Sequence, residues 1–318
     1  VLTYHIEHIH YYNELFDIFS SNKDKQFLIL SDFDFFHLED DEAKSNFWPD
    51  NVTMINWISW GEQVLQAMKM VGVAEEPRIP KKKISCLSHR HEYHKAATSA
   101  FIFNNFSSDE IIFSWHNSHQ GDYDYYLRDN FFIPELVREE LFNKDFNKDQ
   151  SVTFDRFKGF CEPLQNIDWH NDAYLNCAVN VTNESTFSSI GRLSNNQSII
   201  IPGPFITEKT FKPLLSGTAF LHVGHPFLLE KLNKLGIDTN FGFPNNYDNE
   251  PFENDRLLSI YDSLKFIKES TTQDLYQNSY NAIKHNLNYI KSGLFYKNCE
   301  NYNKKNVKKI YEWSLINP

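Results

Sequence analysis

PFITEKTFKPLLSGTAFLHVG, residues 204–224, runs from a loop through a capped helix into an apolar strand. Thr207 stands just ahead of Glu208, where a threonine oxygen can satisfy one of the amides that a helix start leaves without an intrahelical partner. Lys209 and Lys212 are three apart and so project from one side of that helix. Pro213 bends or restarts it, because a ring in place of an N–H is poorly tolerated in a helix interior. Gly217 closes the helix, and 219–223 (AFLHV) is apolar enough for a buried strand. A helix N-terminus with an acid and two lysines is a candidate site for a nucleotide diphosphate. Glu208 would accept hydrogen bonds from ribose hydroxyls, and the lysines and free amides would hold phosphate oxygens. A plain cap with solvated lysines fits the same residues.

Working outward, 84–87 reads as a strand, 88–93 as a polar turn, 94–104 as a helix and 111–115 as a further strand. That strand–turn–helix–strand order is the pattern of a parallel α/β sheet. Nearer the start, 27–30 is a short buried strand broken at Ser31-Asp32, and 52–58 is a second strand. Val64, Leu65, Met68 and Val71 mark 61–71 as a helix. Two prolines and a charge run make 75–83 (EEPRIPKKK) a linker or loop. On the other side, 173–182 reads as a strand or strand pair whose apolar face is interrupted by Asn176 and Asn180, with 199–201 continuing that local structure. Residues 226–235 form a helix ending at Gly236, 256–269 and 275–289 are amphipathic helices, and 304–313 is a basic last helix.

A length of 318 residues suggests two domains, and 41% hydrophobic against 23% charged residues supplies material for packed cores. The net charge of −11 excludes a general nucleic-acid binder, although local basic stretches survive that argument. Cys86, Cys161, Cys177 and Cys299 have neither CxxC spacing nor the density of a disulfide framework, so they read as reduced, buried thiols of a cytoplasmic protein. His5, Glu7, His8 and His10 make the opening residues unlike a signal peptide. No apolar run reaches the roughly 18 residues of a membrane span.

The stretch ITEKTFKPLLSG followed by AFLHVG resembles the donor-binding segment of GT-B-type glycosyltransferases, especially a phage- and virus-associated group in which a similar helix is followed by a glycine, an apolar strand and a glycine. A shorter echo, an acid followed by Lys and Phe, occurs in fucosyltransferases that use a GDP-sugar. The basic turn that follows a strand in that group is matched by ISCLSHRHEYHK (84–95), which departs from it in placing His89 before Arg90 and His91 after. An acidic segment ahead of the donor helix is matched by Asn183-Glu184-Ser185. The resemblance covers 84–236, and only 206–213 is a specific match. It implies an α/β fold of two Rossmann-like domains with the active site in the cleft between them: 1–140 on the acceptor side, 141–290 binding the donor nucleotide, and a C-terminal helix in 291–318 packing back on the first. The donor, a UDP- or GDP-linked sugar, would lie against Thr207, Glu208, Lys209, Thr210, Lys212 and Glu184, with Arg90 completing the phosphate site. No cofactor or metal would be required.

Arg90 would stabilise charge as the diphosphate leaves. His89, whose imidazole titrates near neutrality, or Asp34 would serve as base for the acceptor hydroxyl. An exposed basic loop explains 88–95 equally well. Asp32 and Asp34, an Asp-x-Asp after an apolar strand, are also the hard oxygen ligands with which a GT-A enzyme holds a divalent cation. A metal-dependent GT-A-like or nucleotidyl-type transferase is therefore the alternative, and a non-catalytic nucleotide-sugar-binding protein is another. DWHND (168–172) is an acceptor loop or a turn, and Lys304, Lys305, Lys308 and Lys309 are a solvated helix face or a contact to an anionic acceptor. The acceptor candidates are a hydroxymethylated pyrimidine in phage DNA, favoured by the basic stretch 81–95, and a surface glycan or lipid-linked saccharide.

Overall fold

A computed structural model describes residues 2–3, 9–31, 49–56, 58, 60–88, 92–115, 134–141, 150–151, 172–184, 187, 190–192, 198–200 and 207–317. The chain is α/β with parallel sheets, consistent with the Rossmann-like class expected from the sequence. Three short strands, β1 (Leu2–Thr3), β2 (Phe27–Ser31) and β3 (Val52–Asn56), pair in parallel in that order, with helix α1 (Ile9–Ser21) between the first two. Helix α2 (Trp60–Val71) follows, and then the proline-bearing linker.

The larger sheet begins with β4 (Lys82–Ser88), which leads through α3 (Tyr93–Asn105) into β5 (Ile111–Trp115). Helix α4 (Glu135–Leu141) and the two-residue β6 (Gln150–Ser151) come next, β6 lying antiparallel at the edge beside β5. A helical turn, α5 (Asp172–Leu175), precedes β7 (Cys177–Asn183), so only part of the strand read at 173–182 is extended. A separate hairpin pairs β8 (Ile190–Arg192) with β9 (Ser198–Ile200). Helix α6 (Glu208–Ser216) and β10 (Ala219–Val223) complete the sheet, whose strand order is β10-β7-β4-β5-β6. Every residue of β5, β7 and β10 is buried. Strands covered on both faces need continuous rather than alternating apolar character, which is why AFLHV and IIFSW were legible. The register sets Ile84 of β4 beside both Ile111 and Val179, so strands from either side of position 140 hydrogen-bond into one sheet.

Four further helices finish the chain: α7 (Leu228–Lys234), α8 (Glu253–Glu269), α9 (Thr272–Lys291) and α10 (Leu294–Ile316). Helix α8 packs on α3, where the Tyr261 hydroxyl donates to the Ala97 carbonyl at 2.8 Å, and α9 packs on α6 and β7. Helix α10 returns to α2 and β3. There the Asn303 side chain accepts from the Ile58 amide at 2.8 Å and donates to the Ile58 carbonyl at 2.7 Å. A Cβ on Gly61 would come within 2.8 Å of the Cys299 Cβ, so the two helices approach as closely as a glycine permits. One contiguous apolar core runs from Trp60 and Val64 of α2, through Phe211 and Leu214 of α6, to Phe113 and Phe220 in the large sheet. No helix among the described residues is long and apolar enough to cross a membrane.

Candidate functional site

The chain leaves β4 toward β5 on one side and later returns to place β7 and β10 on the other. The carboxyl ends of β4 and β7 therefore flank the point where the strand order reverses, the position at which open parallel sheets commonly bind ligands. Polar residues line this seam. Asn180 donates to the Ser85 hydroxyl at 2.7 Å, and Asn183 donates to the Ser88 hydroxyl at 2.7 Å and approaches the Cys86 sulfur at 3.4 Å. Ser99 of α3 reaches the same Ser88 hydroxyl at 3.2 Å. Burial pushes the Cys86 thiol up, the neighbouring hydroxyls opposing only in part, so it is no thiolate nucleophile. The Oδ1 of Asn183 is buried without a hydrogen-bond partner.

Glu184 follows Asn183 at the end of β7. Its amide donates to the Val223 carbonyl at 2.9 Å, extending the pairing with β10. Its carboxylate is only 1% exposed and meets the start of α6. The Thr207 hydroxyl lies 2.7 and 2.9 Å from its two oxygens, the Thr210 hydroxyl donates at 3.2 Å, and the Lys209 ammonium is 3.5 Å away. Thr207 is also the N-cap that the sequence predicts, accepting from the Lys209 amide at 3.2 Å. At the other end of α6 the Gly217 amide bonds the Leu214 carbonyl and the Thr218 amide the Pro213 carbonyl, a Schellman closure with Gly217 at φ 71°. The helix runs through Pro213 as one element, with capping at both ends holding so short a segment in place.

The start of α3 meets the same carboxylate's backbone. His94 Nε2 is 2.8 Å from the Glu184 carbonyl. Burial, reinforced by the charge of Lys95, holds that imidazole well below its usual range, so it is neutral and donates through Nε2–H. Its ring stacks on Phe187 with centroids 4.6 Å apart, and the Arg256 guanidinium lies 4.2 Å from the centre of the same phenyl ring. Lys95, 3% exposed, pairs with Glu92. Burial lowers its ammonium, the Glu92 carboxylate opposes, and the positive charge of Lys209 adds to the lowering, which sets both lysines in one electrostatic neighbourhood with Glu184.

Of the residues expected from the sequence, the structure brings Glu184, Thr207, Lys209 and Thr210 within hydrogen-bond reach of one another. Lys212 lies on the same helix but is 2% exposed, so its ammonium is inside the fold rather than at its surface. His89, Arg90, Asp32 and Asp34 lie outside the described residues, as do the side chain of Glu208 and most of 168–172. In the sequence Arg90 falls between Ser88 and Glu92, two residues of the cluster. The sequence places His94, Lys95 and Asn183 within the segments 84–95 and Asn183-Glu184-Ser185 but gives none of the three a role. The signal for the last was present in the polar residues of an otherwise apolar strand, which pair across the seam instead of breaking it. Among the described residues no group of His, Cys, Asp and Glu side chains is arranged to hold a metal ion.

Fold and site together define a parallel α/β chain with a charged, helix-capped cluster at the reversal of its larger sheet. No family model, curated protein or solved structure matches this chain.

Proposed function

We propose that this protein is a nucleotide-sugar-dependent glycosyltransferase of GT-B type, moving a sugar from a UDP- or GDP-linked donor to a hydroxyl of a larger acceptor. One observation carries the reading. The segment that resembles a donor-binding helix starts at the carboxyl end of β7, next to β4, at the reversal where open parallel sheets bind their ligands. Three further features support it. Lys209 stands at the helix N-terminus, where amide dipoles already favour an anion. Lys95, buried and paired with Glu92 at the neighbouring helix start, adds positive charge behind the cluster without itself reaching its surface. Ser88 and Glu92, which bracket His89 and Arg90 in the sequence, lie in the same cluster.

In this reading the pyrophosphate lies against the N-terminus of α6, with Lys209 and Arg90 neutralising the charge that develops as the diphosphate departs. Glu208 takes the ribose hydroxyls. Glu184 receives the Thr207 and Thr210 hydroxyls and so sets where the helix begins. His89 or Asp34 takes the proton from the acceptor hydroxyl, which attacks the anomeric carbon as the bond to the diphosphate oxygen breaks. The acceptor is a modified pyrimidine in DNA or a glycan.

Thermal unfolding against UDP, GDP, CMP and ADP compounds, with and without EDTA, tests this reading. A nucleotide present at a hundredfold excess over its dissociation constant adds about 2.7 kcal/mol to the native state, which raises the midpoint by roughly 5 °C in a protein of this size. One nucleotide should do so with EDTA present, and Lys209→Ala should remove the shift. A shift that requires metal would point to Asp32 and Asp34 instead, and the absence of a shift from any nucleotide would end the donor-site reading.

A further inference from the structure

Helix α10 carries more exposed apolar surface than any function at the β4–β7 seam uses. Its inner side is fixed against α2 through Cys299 and Asn303, both buried, and Asn306 is buried in line with them. Its outer side exposes Val307 (50%), Tyr311 (62%) and Leu315 (63%). These are spaced i, i+4, i+8, so they form a single stripe along the helix. Lys304 lies in line with that stripe, Lys308 flanks it, and Lys305 and Lys309 lie farther round the helix. Lys304 reaches Glu300 at 3.1 Å and Lys308 reaches Glu312 at 3.5 Å. Such exposed pairs within a helix contribute little and exchange partners readily.

The charge distribution says what this stripe suits. Four lysines against Glu300 and Glu312 make the outer half of α10 basic, in a chain whose net charge is −11. An anionic surface would therefore repel most of the molecule and attract this helix, orienting it before contact. An interfacial helix needs an apolar strip to enter the headgroup boundary, a tyrosine able to sit there with its hydroxyl in water, and long cationic side chains that reach back to phosphates. A free polyanion such as a nucleic acid would use the lysines but leave the apolar stripe in water.

We infer that the outer face of α10, centred on Val307, Tyr311 and Leu315 with Lys304 and Lys308, docks this protein on an anionic lipid surface. The inference stands apart from the glycosyltransferase reading, since it uses none of the residues at the seam. If both hold, the acceptor is one presented at a membrane.

Co-sedimentation of the full chain with vesicles tests it, using phosphatidylcholine alone and phosphatidylcholine mixed with phosphatidylglycerol. The protein should bind the mixed vesicles, ignore the neutral ones and be released by salt. Each lysine near an anionic surface adds about fivefold in affinity, so Lys304→Glu with Lys308→Glu should lower binding by at least about 25-fold. Tyr311→Ser with Leu315→Ser should weaken it at low salt while leaving the thermal midpoint unchanged, because both side chains are already exposed. Equal binding to neutral vesicles, binding that survives both double variants, or no binding to the mixed vesicles each overturns the inference. A concentration-dependent dimer dissolved by Tyr311→Ser with Leu315→Ser, with no vesicle binding, would assign the stripe to a second copy of the chain.

Discussion

Replacing Glu184 and Thr207 by alanine, singly and together, measures the contact on which the cluster at the start of α6 depends. Thr207→Ala removes two things: the cap on the Lys209 amide and the hydroxyl that lies 2.7 and 2.9 Å from the Glu184 oxygens. A lost cap costs about 1 kcal/mol, and a hydrogen bond to a charged group adds about 1.5–3 kcal/mol, so the expected loss is roughly 2.5–4 kcal/mol. Glu184→Ala leaves the Thr210 hydroxyl and the Lys209 ammonium without an acceptor they now have, in a site that is 1% exposed at the carboxylate. Breaking a buried charged contact in this way costs about 3–5 kcal/mol. The double variant should be less damaged than the sum, because the Thr207–Glu184 bond can be lost only once, and the shortfall should be about 1.5–3 kcal/mol. Urea unfolding of the four proteins, read at constant m, supplies the numbers. Additivity within about 0.5 kcal/mol would mean that the two side chains do not meet, and the geometry argued for the seam would be refuted.

Other regions give independent checks. Asn303→Leu should cost roughly 2–4 kcal/mol in urea unfolding, because it strips a buried amide and a buried carbonyl of Ile58 of their partner, and a loss below about 0.5 kcal/mol would show that α10 is not clasped there. Gly217→Ala should cost about 1–2 kcal/mol, since φ is 71° and the added Cβ would stand 3.1 Å from a Leu287 methyl; an unchanged midpoint would contradict the left-handed closure of α6. For acid stability the sign follows from burial. His222, pushed down to about 3 chiefly by burial, is neutral when folded and takes up a proton on unfolding once the pH is below about 6.5. Stability must then fall as pH drops from 6.5 toward 3, by up to about 1.4 kcal/mol per pH unit from this group, and His94 acts in the same direction. Asp248, raised to about 6 by burial, opposes them between about pH 4 and 6. His222→Gln should therefore flatten the pH profile relative to the parent, and an unchanged slope would show that His222 titrates freely in the folded state.

What could be read from the sequence follows from what local chemistry decides. The Thr207 cap, the Gly217 closure and the apolar runs of β4, β5 and β10 are written in neighbouring residues, and they come out where spacing put them. Helix α1 was not read, because IHYYNELFDIFSS mixes histidine, tyrosine and asparagine into its period. Residues 173–175 were read as extended although they lie in a helical turn, their apolar character fitting either state at that length. The cluster at the seam was harder still. Lys95 and Lys212 look solvent-facing in any sequence pattern, and only the packing of α3 and α6 on the sheet buries them. Asn180 looked like an interruption because its partner, Ser85, is supplied by a strand far away in the chain.

The clasp between Ile58 and Asn303 also bears on how the chain is made. Its two halves are 245 positions apart in sequence. At roughly 5–20 residues per second of synthesis, about 10–50 s pass between the appearance of Ile58 at the ribosome and that of its partner. Throughout that interval α2 has no α10 to cover it, with Gly61 and Trp60 still waiting for the surface they will bury. The sheet of β1, β2 and β3 is thus synthesised well before the helix that packs against β3 and α2. A pause or a premature stop between Ile58 and Asn303 would leave α2 and β3 in the hands of chaperones.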